Sequence, residues 1–119
     1  MKEGLVGLEI EERGEVVVAR LTGELDIAGA SRTGERITEA VPTSAGGLVV
    51  DLMELDFIDS SGIAMLFALV RQLGSRRQKL SVAAPAGGPV WRVLEIVEFE
   101  RAAPVHRDVE AAVAQISPY

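Results

Sequence analysis

Hydrophobic and polar residues alternate with a period of two at the start of the chain and change to helical spacing further on. Val6, Leu8 and Ile10 are separated by glycine or glutamate, which is the pattern of a half-buried strand. A turn is predicted at Arg13-Gly14, and the more continuously apolar residues 15–21 predict a second strand. These two segments predict an opening β-hairpin.

The middle of the chain predicts a helix followed by a buried strand. Residues 29–41 place apolar side chains on one helical face, and Pro42 is expected to end this helix. Residues 48–52 are apolar apart from one aspartate, as in a strand covered on both faces. This strand is expected at the centre of the sheet, followed by a loop through Glu54 and Asp56.

A second helix is predicted to begin near Ser60 and to end at Gly74. Its apolar residues recur at helical spacing and are expected to face the core: Ile63, Leu66, Phe67, Val70 and Leu73. Three further apolar side chains, Ala64, Met65 and Ala68, then fall on the outer face of the helix. Such a face is either a surface for a partner or buried under a neighbouring helix.

The rest of the chain completes an α/β pattern. Residues 80–84 alternate as a strand, residues 90–97 have helical spacing, residues 102–105 are extended, and residues 108–116 form a last helix. Over residues 1–119 this order predicts a single domain: an α/β sandwich with a mixed, mostly parallel sheet of four to five strands, about four helices and an opening hairpin.

Composition and charge remove several classes of function. The 119 residues include no cysteine and one histidine, which excludes disulfides, thiolate nucleophiles and cysteine-ligated zinc. No apolar run is long enough to cross a bilayer, and the acidic N-terminus does not resemble a signal peptide, so a cytoplasmic protein is expected. The formal charge of −6 disfavours nucleic acid and anionic lipid as partners.

Enzymatic interpretations of the polar residues 59–62 (DSSG) find little support. A catalytic serine at Ser60 or Ser61 needs a base, and the one histidine, His106, lies near another helix. The glycines at 87–88 lack the spacing of a nucleotide-binding loop, and the scattered aspartates form no recognised metal pattern. We therefore expect no enzyme, no cofactor and no metal. Helix capping by Asp59 or Ser60 explains one polar residue but not two serines after an aspartate.

Two segments carry a resemblance to a known family. LTGELD (residues 21–26) and VVDLMELDFIDSSGIAML (residues 49–66) resemble the STAS domain of bacterial anti-sigma factor antagonists. The order of elements is similar to that family from about residue 5 to residue 116. Where the family often has a glycine after the third helix, this chain reads EIVEF at residues 95–99, so the end of that helix is expected to differ.

The resemblance implies a set of site residues. Ser60 is implied to be the serine phosphorylated by an anti-sigma factor kinase, although spacing alone leaves Ser60 and Ser61 nearly equal. Asp26 and Asp59 are implied to lie near it, and we expect them to hold the Ser60 hydroxyl by hydrogen bonds. The expected partner-binding residues are Gly62, Ala64, Met65 and Ala68.

The function implied is a partner-switching regulator of transcription. The unmodified protein would bind the anti-sigma factor and free the sigma factor; phosphorylation would release it, and a serine phosphatase would reverse the step. The alternative is a stand-alone STAS accessory subunit of a transporter or a stress-signalling complex. The outer apolar positions would also suit a homodimer.

Overall fold

The computed structural model describes residues 6–117. In that range it contains five strands, four α-helices and one 3-10 turn: β1 (Val6–Arg13), β2 (Val16–Leu25), α1 (Ala30–Ala40), β3 (Gly47–Ile58), α2 (Ser60–Ser75), β4 (Lys79–Ala83), α3 (Pro89–Ile96), the 3-10 turn Phe99–Arg101, β5 (Val105–His106) and α4 (Val109–Ile116). The α/β class, the opening hairpin and the mixed sheet are confirmed.

One five-stranded sheet, in the order β1-β2-β3-β4-β5, organises the chain. β1 and β2 are antiparallel, joined by a tight turn in which Gly14 has a φ of +63° that favours glycine. The other neighbouring strands are parallel. β3 lies at the centre, as its apolar sequence predicts.

Helices cover both faces of the sheet. On β2, Val17, Ala19 and Leu21 face the main core, which includes residues of α1, α2 and α3. The alternate residues Val16 and Val18 face a smaller core on the other side, which α4 covers. Burial on both faces explains why β2 and β3 are apolar in consecutive positions rather than in alternate ones.

The predicted loop after residue 52 is wrong, because β3 continues to Ile58. The second half of β2 supplies its hydrogen-bonding partner, with Gly23 opposite Leu55 and Leu25 opposite Ile58. Leu55 and Ile58 stay buried while Glu54 is exposed. The loop was predicted because Glu54 is polar, and its exposure on this partly solvated strand explains why.

The predicted end of α2 at Gly74 is also wrong. The helix continues through Ser75, and Arg77, with a φ of +60°, adopts the left-handed conformation. The Arg77 amide donates to the Gly74 carbonyl at 2.9 Å, and the Gln78 amide donates to the Leu73 carbonyl at 2.8 Å. This Schellman pairing satisfies the last carbonyls, so an arginine occupies the position that glycine usually takes.

Candidate functional site

The candidate site lies where β2 and β3 end side by side. Leu25 and Ile58, the last residues of these two strands, are paired in register, and the Asp59 amide donates to the Leu25 carbonyl at 3.2 Å. Asp26 and Asp59 therefore follow neighbouring strand ends, at the carboxyl edge of the parallel sheet where ligands usually bind. The structure brings the two sequence motifs together.

Asp59 is the N-cap of α2. Its Oδ1 accepts hydrogen bonds from the amides of Ser61, at 2.8 Å, and Gly62, at 3.1 Å. These amides have no partner within the helix, and such a cap typically contributes about 1 kcal/mol to stability. Ser60 and Ser61 are consequently the first two residues of the helix.

Gly62 fixes how closely the first turn of α2 approaches the sheet. It is buried, and a Cβ placed on it would lie 2.6 Å from Ile58 Cγ1 and 2.8 Å from the Leu25 carbonyl oxygen. A side chain here would push the helix away from the strand ends. Gly62 was expected to contact a partner, and because it is buried, its contribution to the site is to position the two serines.

The two serine hydroxyls differ in exposure. Ser60 is exposed, whereas Ser61 is half-buried and faces α1. Among residues 6–117 no group forms a hydrogen bond with either hydroxyl.

The expectation that Asp26 and Asp59 hold the Ser60 hydroxyl is therefore wrong. Both carboxylates serve the backbone instead: Asp59 caps α2, and Asp26 Oδ1 accepts from the Ala28 amide at 3.1 Å. The Asp26 carbonyl also accepts from the amide of Ala30 at 2.9 Å, at the start of α1. The two aspartates shape the loops around Ser60 and leave its hydroxyl free.

A groove runs between α1 and α2, beginning beside Ser61. Its volume is about 700 Å³. Ala64 is exposed and Ala68 half-buried along the α2 side, as their predicted outer positions require. On the α1 side the lining includes small side chains, Ala30, Ser31 and Gly34, and Ile27, 81% exposed, stands at one end. We call this feature the α1–α2 groove.

Met65 was expected among the partner-binding residues on the outer face of α2, and the structure places it in the main core instead. Met65 is only 6% exposed, because α1 packs over it at Gly34, where a Cβ would lie 2.9 Å from Met65 Cγ. Burial under a neighbouring helix is thus correct for this residue. Conversely, Phe67 and Val70 of the predicted core stripe are only half-buried, and Leu69 is buried in their place.

Sequence reasoning missed the α1 side of the groove, whose lining residues run from Ile27 to Glu39. A glycine in the middle of a predicted helix, Gly34, was the available signal, since it costs helix stability and so indicates close packing. Which helix it would approach depends on the fold.

His106 is too distant to act as a base for either serine. His106 on β5 lies opposite Ala83 on β4, and Ala83 lies opposite Asp51 on β3. Ile58, the end of β3 beside the serines, lies seven residues further along that strand. At about 3.3 Å per residue this separation is roughly 23 Å. The geometry therefore excludes a serine–histidine pair at this site.

The buried carboxylate in β3 has a structural partner. Asp51 is 2% exposed and accepts a hydrogen bond from Arg20 Nε at 3.0 Å and from the Met53 amide at 2.9 Å. The hydrogen bond from Arg20 to Asp51, with their Coulomb attraction, raises the pKa of the guanidinium. Asp51 thus has partners of its own, away from the serines.

Across residues 6–117, no group of three or more histidine and carboxylate side chains is arranged to hold a metal ion. Over the same residues, no helix has the length and apolar character needed to cross a membrane.

A family model and a curated relative are both similar to this chain over most of its length. The STAS domain family matches residues 7–112. An anti-sigma F factor antagonist of Paenibacillus polymyxa is 24% identical over 110 residues, covering 92% of this chain and 93% of the relative.

Two solved structures are similar in fold. An anti-sigma factor antagonist from Mycobacterium paratuberculosis superimposes with a TM-score of 0.84 at 23% identity, covering 95% of each chain. The Bacillus cell fate determinant SpoIIAA in its phosphorylated form has a TM-score of 0.69 at 22% identity and covers 93% of this chain and 100% of its own. At these identities the two structures indicate a shared fold.

Proposed function

Because this chain belongs to the STAS domain family, we propose that it is an anti-sigma factor antagonist switched by phosphorylation of Ser60. In its unmodified form it binds an anti-sigma factor that is also a serine kinase. Phosphorylation dissociates this chain from the anti-sigma factor, and a serine phosphatase restores the unmodified form that binds. The antagonist role rests on relatives such as that of Paenibacillus polymyxa, and the phosphorylation on the phosphorylated form of SpoIIAA.

The observation that carries the proposal is the state of the Ser60 hydroxyl. It is exposed on the first residue of α2 and has no hydrogen-bond partner among residues 6–117. A kinase can reach it without unfolding the helix. Ser61 is half-buried against α1, which favours Ser60 as the acceptor on grounds independent of family resemblance.

The fold is expected to tolerate a phosphate at this position. Phosphate adds about −1.5 to −2 charges near neutral pH, and the N-terminus of a helix stabilises an anion by about 0.3 to 1 kcal/mol. Asp59 is already satisfied by two amides, so the cap can persist beside the phosphate. Phosphorylation should therefore change binding rather than fold.

The α1–α2 groove is the surface on which we place the partner. It starts at Ser61 and continues past Ala64 and Ala68, with Ile27 exposed at one end. A phosphate on Ser60 would stand beside this docked surface. At about 5 Å and an effective dielectric near 20, a unit charge facing a partner carboxylate costs roughly 3 kcal/mol before screening, or about a hundredfold in affinity.

We propose that the chain is a phosphoryl acceptor and not itself an enzyme. The phosphoryl donor is ATP held by the partner kinase, because this sequence has no phosphate-binding loop. Asp26 and Asp59 then act as shaping residues for the acceptor, through their bonds to the backbone.

Mapping of the modified residue tests the proposal. The protein is incubated with its candidate anti-sigma factor kinase and ATP, and the modified residue is located by mass spectrometry. We expect one phosphate on Ser60, absent in Ser60→Ala and retained in the matched variant Ser61→Ala. Modification that persists in Ser60→Ala and disappears in Ser61→Ala would reassign the site, and no phosphate on either serine would refute it.

A further inference from the structure

A second cavity lies between α3, the 3-10 turn and β5. Its volume is about 450 Å³, and it shares no lining residue with the α1–α2 groove. The apolar part of its wall comes from Trp91, Leu94 and Val105. Trp91 is half-buried, and within residues 6–117 no cation stacks on its ring. We call this cavity the acidic pocket.

Three carboxylates and one guanidinium complete the lining of the acidic pocket. Arg101 pairs with Glu98 at 2.9 Å. Glu95 accepts a hydrogen bond from the indole nitrogen of Trp91 at 3.2 Å, and neither Glu95 nor Glu100 has a cationic partner in the described part of the chain. The lining is therefore acidic overall, with two carboxylates uncompensated.

The backbone at Glu98 is unusual for a residue with a side chain. Its φ is +56° and its ψ is +44°, in the left-handed region that glycine adopts most easily. This is the segment in which the sequence departs from the resembled family. With a glutamate at this strained position, the lining gains a carboxylate that accepts a hydrogen bond from Arg101.

Apolar surface continues beside the acidic pocket. Ile96 is 79% exposed and Val97 is 36% exposed, directly after Glu95 at the end of α3. These two adjacent side chains extend the apolar area that a partner bound in the pocket would cover.

We propose that the acidic pocket binds a segment of a protein partner in which Lys or Arg side chains alternate with apolar ones. The aliphatic stem of such a side chain packs on Leu94 and Val105, and its cationic head meets Glu95 and Glu100 beside the Trp91 ring. The apolar neighbours of the cation cover Ile96. Charge complementarity selects this occupant, and the site does not depend on the function proposed for Ser60.

The single tryptophan provides a direct measurement, because Trp91 is the only one in the chain. Its fluorescence is titrated with the peptide acetyl-Leu-Arg-Leu-Arg-Leu-amide at low salt. We expect a saturable emission change that weakens as salt is added. The twin peptide with Glu in place of Arg should give none, and equal responses to both peptides would overturn the proposal.

Matched variants locate the interaction. The double variant E95Q/E100Q should weaken binding of the arginine peptide about tenfold or more, while E12Q/E15Q, which removes the same charge from the exposed β1–β2 hairpin, should bind as the parent does. If both double variants weaken peptide binding equally, the peptide is attracted by the overall negative charge of the protein, and the proposed pocket is refuted. If agmatine saturates the Trp91 emission change at the same concentrations as the peptide, the pocket is a site for small amines. If the emission changes with protein concentration alone, the occupant is a second copy of this chain. Either result would overturn the proposed occupant.

Discussion

Asp59 joins the end of the central strand to the start of the longest helix. Its carboxylate caps α2 through two amides, and its own amide bonds to the last carbonyl of β2. The capping role could be predicted from sequence because an N-cap signal is local. The free state of the Ser60 hydroxyl could not, because it depends on where the carboxylates of two separate loops point.

The Asp59 cap contributes to the free energy of unfolding, and this contribution can be measured separately from the effect of the carboxylate charge. Asp59→Ala should lower the free energy of unfolding by about 1 kcal/mol in urea denaturation, since two helix amides lose their acceptor. Asp59→Asn should retain most of the stability because asparagine caps nearly as well. If Asp59→Ala proves as stable as the parent, the cap does not contribute as described.

At the scale of elements, the contact between α1 and α2 shapes the candidate site. Gly34 lets Met65 pack beneath α1, and Thr38 Oγ1 donates to Gln72 Oε1 at 2.7 Å further along. The helices themselves could be predicted from their periodicity. The burial of Met65 could not, because a helical wheel gives an angle on one helix and not the neighbour that covers it.

Two helical glycines give a matched test of that contact. A Cβ on Gly74 in α2 would meet nothing within 4 Å, whereas one on Gly34 would lie 2.9 Å from Met65 Cγ. Gly74→Ala should therefore stabilise the protein by about 0.5 to 1 kcal/mol.

Gly34→Ala has the same propensity gain, but crowding against Met65 should leave it about 1 to 3 kcal/mol less stable than Gly74→Ala. Urea denaturation of both variants gives the comparison. Equal stabilisation would mean that Met65 moves aside at no cost and that Gly34 is not required for the packing.

At the scale of the whole molecule, the sheet holds two loops and two helices in one arrangement around Ser60. The order of elements could be predicted because each strand and helix has its own periodic signal. The α1–α2 groove could not, because it forms only when both helices share one face of the sheet. Similarly, the full length of β3 depended on pairing with residues of β2 more than 30 positions away.

The proposed switch predicts an ordered series of affinities for the anti-sigma factor. Ser60→Ala should bind as the unmodified protein does, because only an unbonded hydroxyl is lost. Ser60→Asp should bind about tenfold more weakly or worse, and the phosphorylated protein about a hundredfold more weakly, because the added charge grows from one to nearly two.

Calorimetric titration or a pull-down with the anti-sigma factor measures this series, with Ser44→Asp, an exposed position outside the α1–α2 groove, as a control for added charge. Equal binding by Ser60→Ala and Ser60→Asp would refute the electrostatic switch, whatever the outcome of phosphate mapping.

The position of Gly62 has a consequence for how Ser60 is recognised. Since the turn that carries Ser60 is pressed against the strand ends at Gly62, the hydroxyl is presented by a folded surface rather than by a pliable peptide. An enzyme acting on it has to accommodate the rounded end of a domain. The determinants of recognition would then be distributed among β2, α1 and α2, and a consensus written along residues 55–66 would describe only the part of them that happens to be contiguous.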